Sequence, residues 1–221
     1  MPRMLVAASP VILAVCFAAS LAGSARAERP GKGRSLVEIG IGGHTGQFTY
    51  PGIVSFGRYQ SGEVGGQLSY FRFLSDQWTV GISGGYHAGR LKDEDKGGGV
   101  FAGTSTINTH SFTIRIGGDR YAFINDDVAL YAGPGLFWTR GRSKSEVVAN
   151  PPTVSGTNEG PDANETGFNG RIGMYARLGG STALYGHIGQ NLSYASAKDD
   201  TGKSSWWSST HEGSVGLAFE F

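Results

Sequence analysis

Read back from its carboxyl end, the chain alternates. Phe221, Phe219, Leu217 and Val215 fall on one face of an extended strand, and Glu220, Ala218, Gly216 and Ser214 on the other. A soluble sheet would bury the apolar face under a second layer. A transmembrane β-strand of about 9–11 residues instead turns that face to lipid and keeps small or polar residues inside. A final strand of a soluble sandwich would show the same local pattern, so the decision rests on whether the pattern recurs.

It recurs seven times. Strands are predicted at about 35–43 (Val37, Ile39, Ile41 outward), 62–73 (Val64, Leu68, Tyr70), and 78–89 (Trp78, Val80, Ile82, Tyr86). A fourth carries Phe112, Ile114 and Ile116 against Ser111, Thr113 and Arg115. Further strands are expected at 128–139, 167–178 and 183–194. Tyr121 and Phe123 change parity if their rings face lipid, which predicts a bulge at Gly117–Gly118. Pro134 cannot donate to a ladder, so a second bulge is expected there. Short turns at 74–77, 124–127 and 179–182 alternate with long polar loops, including 90–107 and an aperiodic surface loop at 140–166. The expected fold is all-β: an eight-stranded antiparallel up-and-down transmembrane β-barrel, with short turns at one end and longer loops at the other.

The amino terminus adds a compartment. Arg3, the apolar run Met4–Ala22 and the Ala25-Arg26-Ala27 ending read as a cleaved secretory signal peptide over residues 1–27, leaving 28–221 as one barrel domain. Cys16, the only cysteine, falls inside the leader, so the mature chain is expected to hold no disulfide and no cysteine metal site. Whole-chain charges are 19 basic and 18 acidic; removing Arg3 and Arg26 leaves 17 against 18, a net of −1 with nothing to attract nucleic acid. Glycine, 37 of 221 residues, has no collagen period and suits tightly curved strands.

The alternating strands together with the closing HEGSVGLAFEF resemble the small eight-stranded Gram-negative outer-membrane barrels, the family of the OmpA membrane domain and the OmpX-like surface proteins. That resemblance covers the mature length and rests on pattern rather than on a long motif. It implies a non-enzymatic cell-surface protein, with a structural or adhesin-like role through its extracellular loops. It further implies a location in the outer membrane, recognition of Val215, Leu217, Phe219 and Phe221 by the barrel-assembly machinery, contact with outer-membrane lipid and lipopolysaccharide, and a monomeric state. A narrow, porin-like gated pore is the alternative.

Candidate chemistry follows from the faces. Inward charges at Glu38, Glu63, Arg115, Arg171, Arg177 and Glu220 must pair inside so narrow a barrel. Glu38, Arg177 and Glu220 are expected near the short-turn end, and Arg115 and Arg171 nearer the middle. Trp78, Phe219 and Phe221 form one aromatic girdle, and Tyr86, Trp138, Phe168, Tyr194 and Trp206 the other. Ser209 and His211 share the outward parity and are weak candidates for a lipid-modifying hydrolase, which would also need an acid and an oxyanion site. His87 and His187 point inward and read as hydrogen-bonded lumen residues; no cofactor or metal is expected. Lys198 and Lys203 are placed to meet lipopolysaccharide phosphates.

Overall fold

The computed structural model describes residues 31–47, 60–95, 103–149, 155–159, 162–199 and 202–221; the predicted leader lies outside them. The strands are β1 (Ser35–Gln47), β2 (Gln60–Phe73), β3 (Thr79–Asp95), β4 (Gly103–Gly117), β5 (Arg120–Phe123), β6 (Val128–Ala149), β7 (Ser155–Glu159), β8 (Asp162–Gly179), β9 (Thr182–Asp199) and β10 (Gly202–Glu220). Every pairing is antiparallel. β10 returns to β1, so the sheet closes. β4 and β5 lie end to end on one edge of β6, and β7 and β8 on its other edge. Ten strands less these two interruptions make eight staves of an up-and-down barrel.

The ladder also fixes the barrel's stagger. From Leu36 the pairs run through Phe71, Gly81, Gly117, Gly135, Asn169, Asn191 and Thr210 back to Gly46 of β1. The offset is 46 − 36 = 10 residues. With about 3.3 Å per residue and about 4.8 Å between strands, this tilts the staves by roughly 40°.

Alternation is strict in the wall. Val64, Phe168 and Ile188 stand 64%, 69% and 68% exposed, while their neighbours Glu63, Asn169 and His187 are buried. The short turns are built by local acceptors. Asn125 Oδ1 accepts the N–H groups of Asp127 (2.9 Å) and Val128 (2.7 Å), and Ser75 Oγ accepts that of Trp78 (3.2 Å). The third turn uses Gly180 at φ +54°, the left-handed region that a side chain would strain.

Three expectations are corrected. No residue is inserted at Gly117–Gly118: the flanking pairs Gly117↔Gly135 and Arg120↔Ala132 are separated by three residues on each strand. Tyr121 therefore keeps the inward parity of Arg115 and is buried. Nor does Pro134 bulge, since it pairs in register with Gly170. Gly118 N–H donates to Pro134 O at 3.2 Å, and proline has no N–H to return, so one ladder bond is lost and the register is kept. Finally, much of 90–107 and 140–166 is strand: β3 runs to Asp95, β6 to Ala149, and β7 and β8 cover Ser155–Glu159 and Asp162 onward.

Candidate functional site

The interior is filled in layers, beginning at the short-turn end. Arg177 Nη2 donates to both carboxylate oxygens of Glu220 at 2.8 Å, Tyr175 donates its hydroxyl to the same carboxylate, and Arg34 approaches it at 3.7 Å. Above this floor Leu36, Phe71, Phe73, Tyr121, Tyr131 and Tyr185 form an apolar core across the lumen. Tyr121 lies 5.3 Å from both Phe73 and Tyr131, ring centre to ring centre. Inward aromatic rings this large, on staves facing one another, close the bore with side chains.

The next layer is ionic. Arg171 lies over the rings of Phe71 (4.8 Å) and Tyr131 (5.4 Å), so the guanidinium caps the aromatic plug. Its Nε donates to Asp119 Oδ1 at 3.0 Å, a second bond reaches Oδ2, and both side chains are fully buried. Glu38 is also fully buried beside Ser69, which is its partner in the ladder; Arg171 and Arg115 act on its charge. Higher up, the Tyr131 hydroxyl and Ser214 Oγ lie 3.4 and 3.3 Å from His187 Nδ1. Ser111 donates to Glu63, while Asn169 and Asn191 donate to Glu212.

All six predicted lumen charges are thus inside. Arg177 and Glu220 meet as a pair at the floor, whereas Glu63 belongs to the upper layer and Glu38 sits within the field of the central arginines. Sequence reasoning missed Asp119, the partner of Arg171. The signal was available: the odd-numbered inward series 111, 113, 115, 117 continues to 119 once no bulge is assumed.

The outer surface is apolar between two charged rims. Outward positions carry Arg72 and Arg120 towards the short turns and Arg90, Arg140 and Arg142 towards the long connections; among the described outward residues between them there is no Asp, Glu, Lys or Arg. Trp78, with Arg120 5.8 Å over its ring, and Phe221 mark the lower rim, where Phe219 is half-buried. Tyr86, Trp138, Phe168 and Tyr194 mark the upper one. Trp207, rather than Trp206, holds the outward register position opposite Tyr194, with rings 5.7 Å apart. At the lower end of the closing strand, Leu217 and Phe221 are exposed, and Val215 is partly so.

Polar groups on this rim are few. Ser209 and His211 both face outward, and the Ser209 hydroxyl accepts Gln190 Nε2 at 3.2 Å. The adjacent acid, Glu212, turns to the lumen and is taken by Asn169 and Asn191. Tyr86 Oη and His110 Nδ1 are 2.8 Å apart. Arg140 and Arg142 share Asp162 at 2.8 and 2.7 Å, and these bonds hold its carboxyl below the usual carboxylate range. Among the described residues, no three His, Cys, Asp or Glu side chains gather as a metal site.

No protein-family model and no curated protein matches the sequence. Among solved structures, the outer-membrane protein OprG of Pseudomonas aeruginosa overlays with a TM-score of 0.51 at 10% identity, covering 90% of this chain and 99% of OprG. The attachment invasion locus protein Ail of Yersinia pestis overlays at 0.41 and 17% identity, over 86% of this chain and 99% of Ail. Neisserial surface protein A gives 0.43 and 10%, over 86% and 100%. The OprG overlay shows the fold: this chain is built as a small outer-membrane β-barrel.

Proposed function

We propose that the protein is a non-enzymatic, monomeric barrel of the Gram-negative outer membrane that presents a rigid β-walled surface for adhesion-like contacts. In this reading residues 1–27 direct export and are removed, the barrel-assembly machinery reads the closing strand, and the short turns face the periplasm. The observation that carries it is the height of the wall. β6 continues to Ala149, 149 − 138 = 11 residues past the rim residue Trp138, and β3 continues nine past Tyr86, to Asp95. A strand needs about 9–11 residues to cross the membrane, so these extensions stand in water as ordered sheet. They carry exposed charges at Arg90, Lys144 and Glu146. The aromatic and ionic layers across the bore argue against the pore alternative.

Display of the protein on a non-adherent Gram-negative host, with and without residues 144–159 replaced by an Asn-Gly turn, tests the role. Binding of the cells to immobilised matrix proteins or heparin should rise with the full protein and fall to background with the shortened one. Equal binding by both forms, at the same surface level, would overturn it.

A further inference from the structure

One stretch of the lipid-facing wall is hollow. Gly66 of β2 and Gly84 of β3 are adjacent outward positions, and a Cβ on either would meet nothing within 4 Å. Around them Ile39, Leu68, Tyr86 and Phe112 border an apolar groove of about 490 Å³. Outward positions on a transmembrane wall favour large apolar side chains, and glycine there leaves a furrow the width of a hydrocarbon chain open to the bilayer.

The groove ends under a polar cluster. Tyr86 and Phe112 are cross-strand partners, Phe112 in turn faces Arg140, and His110 faces Arg142. With the Tyr86 hydroxyl bound at Nδ1, His110 keeps Nε2 for another partner. Asp162 fixes Arg140 and Arg142 side by side while neutralising one of their two charges, so the trio retains a net +1 and several N–H donors. Apolar furrow and cationic rim thus lie end to end at membrane-interface height, complementary to a molecule with an acyl chain below an anionic head.

We propose that the Gly66–Gly84 groove and the His110, Arg140 and Arg142 rim form one binding site for lipid A, an acyl chain lying in the groove and a phosphate against the rim. The assignment rests on the outer-membrane reading above, which places this rim in the outer leaflet. Lipid A, rather than a glycerophospholipid, is the phosphorylated acyl lipid met there.

Native mass spectrometry of the full mature protein, folded in detergent and offered lipid A or phosphatidylglycerol at equal concentration, tests the site. A lipid A adduct should survive detergent removal, and phosphatidylglycerol should not compete for it. The double variant R140Q/R142Q should weaken the adduct roughly tenfold or more, the scale of hydrogen bonds to charged groups. Gly84→Leu should weaken it by filling the furrow. Gly170→Leu fills an equally open outward position on another stave and should leave binding unchanged. Equal retention of phosphatidylglycerol, or wild-type binding by both the R140Q/R142Q and Gly84→Leu proteins, would overturn the site. Each preparation is first run cold and boiled in SDS. Loss of the mobility shift in the wild type would retract the barrel reading itself, whereas a shift without lipid A preference removes only the site.

Discussion

At the scale of single residues, the lumen is governed by pairing. Arg171 and Asp119 are both without solvent contact, so removing one leaves a desolvated charge behind. Arg171→Met should lower stability by about 3–5 kcal/mol. Adding Asp119→Leu, which removes both charges, should restore most of that loss, measured as the urea midpoint of the folded fraction in lipid vesicles. A double variant as unstable as the single one would show that the arginine acts through its contacts with Phe71 and Tyr131 instead. Which residues face inward was legible in the sequence, because parity alone decides it: His187 and Glu63 follow directly. Which acid meets which base was not. Asp119 was hidden by the assumption that aromatic side chains belong outside, whereas Tyr121 and Tyr131 are the plug.

At the scale of strands, the informative errors are at Pro134 and in the connections. Proline removes one donor, and the antiparallel ladder absorbs that loss without changing register. The connections were misread because above the rim both strand faces meet water. The hydrophobic contrast that reveals a membrane strand then disappears, while the strand itself persists in Ser143, Lys144 and Ser155–Glu159. Glycine positions along one strand likewise differ by face. A Cβ at inward Gly65 would lie 1.8 Å from the Tyr86 carbonyl oxygen, while outward Gly66 is open. Gly65→Ala should cost at least about 3 kcal/mol, and Gly66→Ala should refold as the wild type does. Refolding yields into detergent, compared by circular dichroism, check both; equal yields would mean that the β2–β3 backbone yields easily.

At the scale of the whole molecule, eight periods of alternation foretold eight staves, but closure depends on the register between the first and last strands, which no local pattern contains. The pairing of Leu36 with Glu220 and the stagger of 10 residues supply it. Closure is what leaves no free edge among the lipid-facing staves and satisfies their backbone without water. The most direct measurement is therefore electrophoretic mobility of the protein from an outer-membrane fraction, in SDS with and without boiling. A closed barrel should resist SDS when cold and change mobility when boiled. Absence from that fraction together with identical mobility before and after boiling would contradict a membrane-spanning closed barrel.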